Sequence, residues 1–103
     1  MKRDDIVGRI KATIHKVAPD SKAILYGSEA RGEARMDSDI DVLIILPDNY
    51  DTFAQRKIEI TESLYDVELA TGVSVSPLVV LKSLWERMTT PFTCNVAKDG
   101  ILL

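Results

Sequence analysis

The chain has 103 residues, 46% of them apolar, so we expect one small domain around one hydrophobic core. Its 13 basic and 16 acidic side chains give a net charge of −3, which argues against a nucleic-acid binder that works by neutralising phosphates. The single cysteine, Cys94, excludes a disulfide within the chain; we expect a small buried residue in a cytoplasmic protein. Neither a bilayer-spanning run nor a secretory signal is expected.

The first part of the chain predicts a helix and then a strand. Apolar residues recur at spacings of three and four, as on one face of an amphipathic helix: Ile6, Val7, Ile10, Ile14 and Val17. Pro19 and Asp20 end this helix. Residues 23–26 read as a short buried strand, which ends at Gly27.

A second strand is predicted from Ile40 to Leu46, where all residues except Asp41 are apolar and most are β-branched. The polar link between the two strands is too short for a parallel crossover that contains a full helix. We therefore expect the first two strands to be antiparallel and the sheet to be mixed.

The rest of the chain predicts three helices and one strand. A long helix is expected over about 52–70, capped by Thr71 and Gly72, then a strand over 73–80 and shorter helices over 81–88 and 92–98. Pro77 cannot donate to a strand ladder, so its strand should lie at an edge or carry a bulge. The expected fold is α/β, of the α+β kind, with a small mixed β-sheet and flanking helices.

Two aspartates open the second strand. Asp39 and Asp41 are two residues apart, so in a strand their side chains share one face, roughly 6.6 Å apart at Cα. Two convergent carboxylates can hold Mg²⁺, which takes its other ligands from substrate phosphates and water. Taken alone, the sequence Asp37-Ser38-Asp39 favours a solvated turn.

A Gly-Ser pair ends the first strand. Gly27 lets the backbone turn tightly or approach a ligand, and Ser28 with the following N–H groups can meet a phosphate. Arg31 and Arg35 add cationic donors nearby. Taken alone, the pair could be a strand end with a helix cap, and the arginines a solvated face.

Together these residues are more specific. Gly27-Ser28-x-Ala30-Arg31-Gly32, followed by Ser38-Asp39-x-Asp41 at the mouth of an apolar strand, resembles the polymerase-β-like nucleotidyltransferase superfamily, and within it the minimal (MNT-type) domains. The resemblance implies a nucleotidyltransferase domain over residues 1–103. It also implies that Gly27, Ser28 and Arg31 contact the triphosphate, while Asp39 and Asp41 ligate Mg²⁺ and are catalytic.

The resemblance further implies the reaction and the partner. A nucleoside monophosphate, AMP when the donor is ATP, would pass from a nucleoside triphosphate to a protein hydroxyl. Minimal members commonly act as antitoxins that silence a helical HEPN-type toxin in this way. Modification of a small molecule would usually need a further helical domain, for which 103 residues leave no room. A homo-oligomer stays open. The C-terminal segment, residues 90–103, has an apolar end at residues 100–103 and is either part of the partner contact or a terminal strand or packing tail.

One departure leaves an alternative open. Active members of the superfamily usually supply a third carboxylate from the strand after the long helix, where this chain has Ser76 or, by a shifted register, Ser74. The alternative function is a nucleotide-binding module with little or no chemistry, which neutralises its partner by binding alone.

Overall fold

A four-stranded mixed sheet organises the protein in a computed structural model that describes residues 2–103. Along the chain the elements are α1 (Arg3–Val17), β1 (Lys22–Tyr26), α2 (Gly27–Ala30), β2 (Ile40–Leu46), α3 (Tyr50–Thr71), β3 (Val75–Leu81), α4 (Lys82–Arg87), α5 (Pro91–Asp99) and β4 (Ile101–Leu102). The strand order is β3-β2-β1-β4, with β1 antiparallel to β2 and β4, and β2 parallel to β3. The mixed sheet and its antiparallel first pair confirm the prediction.

Strand β2 is central and is covered on both faces. Ile40, Val42, Ile44 and Leu46 pack in one cluster with the buried residues of α1 and α3. Leu43 and Ile45 point the other way and pack with Val96 of α5. A strand that is buried on both faces carries apolar residues on both, which is why β2 is continuously apolar from Val42 to Leu46; its one polar residue, Asp41, lies near the start of the strand and is only half-buried.

The helix ends follow local chemistry. Gly72 closes α3 in the left-handed region, with φ 74°, and donates its N–H to the Glu68 carbonyl at 2.8 Å. At the start of α5, Thr90 and Thr93 form a reciprocal capping box, and Pro91 occupies the first turn. The first cap ends α3 ahead of β3, and the second starts α5, whose Val96 packs against β2.

The outer strands resolve two expectations. Pro77 lies on β3, which is an edge strand, as predicted. The chain end forms β4, whose residues Ile101 and Leu102 are exposed yet pair with β1, so the terminal-strand interpretation is confirmed.

Two further findings concern Cys94 and the membrane. The expectation that Cys94 is buried was wrong: it is exposed, because α5 turns Thr93 and Val96 towards the core and Cys94 away from it. Within residues 2–103, no helix combines the length and the apolar character needed to cross a bilayer.

Candidate active site

Asp41 is the second residue of β2 and lies in a row of three paired positions. Its Cα partners are Tyr26 on β1 and Ser76 on β3. Because side chains alternate along a strand, Asp41 points to the same face as Leu43, the face on which α5 packs. The row therefore places a carboxylate, a phenol and a hydroxyl on one side of the sheet.

The turn at Gly27 lies directly against the Asp41 carboxylate. A Cβ atom added to Gly27 would stand 2.5 Å from Oδ2 of Asp41, closer than any real contact of this kind. Gly27 also has φ 75°, in the left-handed region that residues with a side chain rarely adopt. The backbone conformation therefore favours glycine here, and any larger residue would also have to displace the Asp41 carboxylate.

The electrostatics of the site centre on Asp41. Burial raises the pKa of the Asp41 carboxyl, the negative charge of Asp39 raises it further, and the Arg31 guanidinium opposes both effects. Burial and then the charge of Asp41 raise the pKa of the Tyr26 phenol. Two like charges in a partly buried place favour a bound cation, which would relieve their repulsion. The donor set therefore fits Mg²⁺.

The structure brings most of the predicted site residues together. Asp39 stands exposed just before β2 and acts on Asp41 through its charge, as does Arg31 from the end of α2. Arg31 also makes an exposed ion pair with Glu33 at 3.4 Å. Ser28 follows Gly27 on α2 and is half-buried.

A third carboxylate does not complete the pair. In the part of the chain that the structure describes, residues 2–103, no three His, Cys, Asp or Glu side chains are grouped so that they could hold a metal ion. The strand position beside Asp41 carries Ser76 instead. Two carboxylates are still enough for Mg²⁺ that takes its remaining ligands from phosphates and water.

Arg3 is a site residue that sequence patterns did not reveal. Its Nε donates to Oε1 of Glu29 at 2.6 Å, and its other nitrogens donate to the carbonyls of Ser38 at 2.8 Å and Met36 at 3.3 Å. The guanidinium thus ties α1 to α2 and to the loop that precedes Asp39. These partners lie 26 to 35 residues away in sequence, so no local spacing signals them.

Comparisons with known proteins identify the family to which the chain belongs. Residues 7–100 match the family model described as nucleotidyltransferase domain. A protein of Methanocaldococcus jannaschii, named as a candidate protein adenylyltransferase, is 29% identical over 99 residues, which are 94% of each chain.

Two solved structures have a similar fold. The structure of a candidate minimal nucleotidyltransferase superimposes with a TM-score of 0.67 at 24% identity, covering 100% of this chain and 97% of that one. A toxin–antitoxin crystal structure with AMP-PNP gives a TM-score of 0.65 at 20% identity, covering 92% and 69%. At these identities the structural likeness shows a shared fold.

Proposed function

The chain belongs to the nucleotidyltransferase domain family, and from this premise we propose that it binds a nucleoside triphosphate with Mg²⁺ and transfers a nucleoside monophosphate to a protein hydroxyl, with pyrophosphate as the leaving group. The observation that carries the proposal is the contact between the Gly27 turn and the Asp41 carboxylate. It puts backbone groups suited to phosphate beside a carboxylate suited to a cation.

Each residue of the site has a role in this proposal. Asp39 and Asp41 would hold Mg²⁺, which when bound neutralises charge on the phosphates. Gly27 and Ser28 would bind phosphate oxygens, and Arg31 would add a positive charge on the same side. Arg3 would keep the loop before Asp39 in place.

The relatives support the choice of ATP as the nucleotide donor and of a protein as the acceptor. The Methanocaldococcus jannaschii protein is named as a candidate protein adenylyltransferase, which supports ATP as donor and a protein as acceptor. The toxin–antitoxin structure with AMP-PNP supports both a nucleotide and a protein partner. We therefore propose that the chain is an antitoxin that adenylylates a helical HEPN-type toxin.

A second function is favoured by Ser76. A hydroxyl that is neutral at pH 7 stands beside Asp41 where the superfamily resemblance calls for a carboxylate. The chain would then bind nucleotide and neutralise its partner by association, with little chemistry.

One experiment separates the two functions. The chain is co-expressed with the product of a neighbouring gene, purified by size exclusion, and incubated with Mg²⁺ and ATP labelled at the α-phosphate. Labelled partner with a mass gain of one AMP supports transfer, and a stable complex without label supports the binding module. Loss of label in the Asp39→Asn, Asp41→Asn double variant assigns the transfer to this site. A chain that neither binds nor labels any such product contradicts both.

A further inference from the structure

A cavity of about 200 Å³ opens beside the Gly27 turn. One wall consists of Tyr26, Gly27 and Arg31. Tyr26 is also the strand partner of Asp41, so the cavity begins where the proposed phosphate and metal site ends. A ligand held by its phosphates at Gly27 has this cavity as an adjoining space.

Helix α5 supplies the opposite wall through one stripe of side chains. Phe92, Asn95 and Asp99 follow each other at spacings of three and four, so they share one helix face, and all three line the cavity. The helix is anchored by Thr93 and Val96, which are buried against the rest of the protein. The stripe is therefore presented by a fixed element, although it lies more than 60 residues from Gly27 in sequence.

Phe92 offers a partly exposed aromatic ring that packs against two other rings. Its ring meets Tyr26 edge to face, with centroids 5.4 Å apart, and meets Trp85 edge to face at 6.2 Å. It nevertheless keeps 36% of its surface exposed. A partly exposed ring of this kind can contact a flat, aromatic group of a ligand.

The two polar residues of the stripe have unused hydrogen-bonding capacity. Within residues 2–103, neither Asn95 nor Asp99 makes a side-chain hydrogen bond or an ion pair with another residue. The Asn95 amide offers one donor group and one acceptor, a combination that matches the N6 and N7 edge of adenine. The Asp99 carboxylate only accepts, and the two hydroxyls of a ribose are suitable neutral donors.

The negative charge of Asp99 restricts the kind of ligand that the cavity can bind. A carboxylate near a triphosphate repels it, so Asp99 weakens the binding of any ligand that is only an anion. It strengthens binding only if the ligand also brings hydrogen-bond donors to it. The cavity therefore suits a ligand whose anionic end lies at Gly27 and whose hydroxyl-bearing end lies at α5.

We infer that this cavity is the nucleoside pocket of the protein, in which the base lies against Phe92, Asn95 reads adenine and Asp99 accepts from the ribose hydroxyls. The inference rests on the proposed function, because the triphosphate must be held at Gly27 for its nucleoside to reach α5. It gives the site a preference for adenine and for ribose.

The test compares four Mg²⁺-loaded ligands by calorimetric titration: ATP, GTP, 2′,3′-dideoxy-ATP and inorganic tripolyphosphate, which has no nucleoside. Asn95→Ala should raise the Kd of ATP about 2- to 10-fold, the range for a neutral hydrogen bond. Asp99→Asn should raise it about 10-fold or more, as for a charged one. The matched control is Lys98→Ala, an exposed position of α5 outside the cavity, which should leave the preference for ATP over tripolyphosphate unchanged.

Tripolyphosphate and the dideoxy nucleotide distinguish recognition from charge. If Asp99 acts on ribose hydroxyls, Asp99→Asn leaves the affinity for both of these ligands unchanged or increases it, since a repelling charge is gone. The ratio of the Kd for dideoxy-ATP to that for ATP then falls towards one in the variant.

The outcomes also separate this inference from the proposed function. A parent protein that fails to bind tripolyphosphate with Mg²⁺ contradicts the proposed phosphate site and the inference with it. A parent that binds tripolyphosphate as tightly as ATP, or α5 variants that bind ATP unchanged, overturns the nucleoside pocket alone. Tighter binding of GTP than ATP, abolished by Asp99→Asn, overturns the adenine assignment, because a carboxylate can also accept from guanine N–H groups.

Discussion

Asp41 and Ser76 occupy paired Cα positions on two parallel strands, with their side chains on the same face of the sheet. Ser74, two residues earlier, lies before β3, and its carbonyl accepts from the Ile40 N–H at 2.9 Å. A carboxylate at position 76 would therefore stand beside Asp41, and one at position 74 would not.

Replacing Ser76 by Asp should increase nucleotide transfer. A carboxylate beside Asp41 can act as a further metal ligand or as a general base, and base catalysis is typically worth about 10²–10⁴-fold. We expect a rate gain of about tenfold or more at saturating ATP, measured as AMP transfer to the partner. Ser74→Asp is the register control and should not gain. If the unmodified chain already transfers rapidly and Ser76→Asp changes nothing, the partner supplies the missing group or the chemistry does not need it.

Mg²⁺ together with a nucleoside triphosphate should stabilise the fold, and either alone should do so less. At a ligand concentration 100 times the Kd, linkage predicts about 2.7 kcal/mol. For a domain of this size that corresponds to a rise in Tm of about 10 °C or more, measured by thermal unfolding.

The Asp39→Asn, Asp41→Asn double variant should lose this shift. Without ligand it should be at least as stable as the parent, because the repulsion between two carboxylates is removed. The control is Asp51→Asn with Asp66→Asn, which changes net charge equally at exposed positions of α3 and should keep the shift. If the Asp39→Asn, Asp41→Asn variant keeps the full ligand-induced rise in Tm, these carboxylates do not bind the metal.

Gly27→Ala should impair the protein more than Gly32→Ala, because it should weaken nucleotide binding as well as stability. Both glycines have a φ above 70°, which for alanine costs about 1–2 kcal/mol. Only the Cβ at position 27 meets another group, the Asp41 carboxylate; nothing lies within 4 Å of a Cβ at position 32. We expect both variants to lower the free energy of unfolding in urea, and Gly27→Ala alone to displace Asp41 and weaken Mg²⁺-dependent nucleotide binding. Equal nucleotide affinities in the two variants would contradict the contact.

Arg3→Ala should lower both stability and nucleotide affinity. It leaves the nearly buried Glu29 carboxylate without its partner, which costs about 1–3 kcal/mol, and it releases the Ser38 and Met36 carbonyls. Adding Glu29→Gln to Arg3→Ala should recover part of the stability. It should not recover nucleotide affinity, because the loop before Asp39 still lacks its hydrogen bonds from Arg3. Arg9→Ala, at an exposed position of the same helix, is the control. Affinity that returns together with stability would show that Arg3 has no role in positioning the loop.

Acid should remove the contribution of the ion pair between Asp20 and Arg56. The hydrogen bonds from Arg56 hold the pKa of the Asp20 carboxyl below its ordinary value of 3.8. A lowered folded-state pKa means that the stabilisation is complete above the unfolded pKa and is lost as pH falls through the folded one. Because Asp20 is half exposed, we expect less than about 1 kcal/mol.

The measurement is urea unfolding of the parent and of Asp20→Asn at pH 7 and below pH 3. The difference in free energy of unfolding between the two proteins should shrink at the lower pH. Asp66→Asn, at an exposed position of α3, should show no such convergence. A difference that persists in acid would assign the effect to packing rather than to the charge.

The sequence by itself determined the elements whose cause is local. The bounds of β2, Ile40–Leu46, follow from an apolar and β-branched run, and the stop of α3 follows from Gly72, the residue best suited to its left-handed cap. The edge position of β3 follows from the missing donor of Pro77. The Gly27 and Asp41 motif could be recognised because its members lie close in sequence.

Only the tertiary structure decided which distant residues meet. The tie from Arg3 to the loop before Asp39, the pairing of β4 with β1, and the approach of α5 to the Gly27 turn join segments far apart in the chain. Such contacts depend on how whole faces pack, and many partners are compatible with one local pattern. Cys94 is a further example. Its residue type predicts burial, but α5 is oriented so that Thr93 and Val96 are buried and Cys94 lies at the surface.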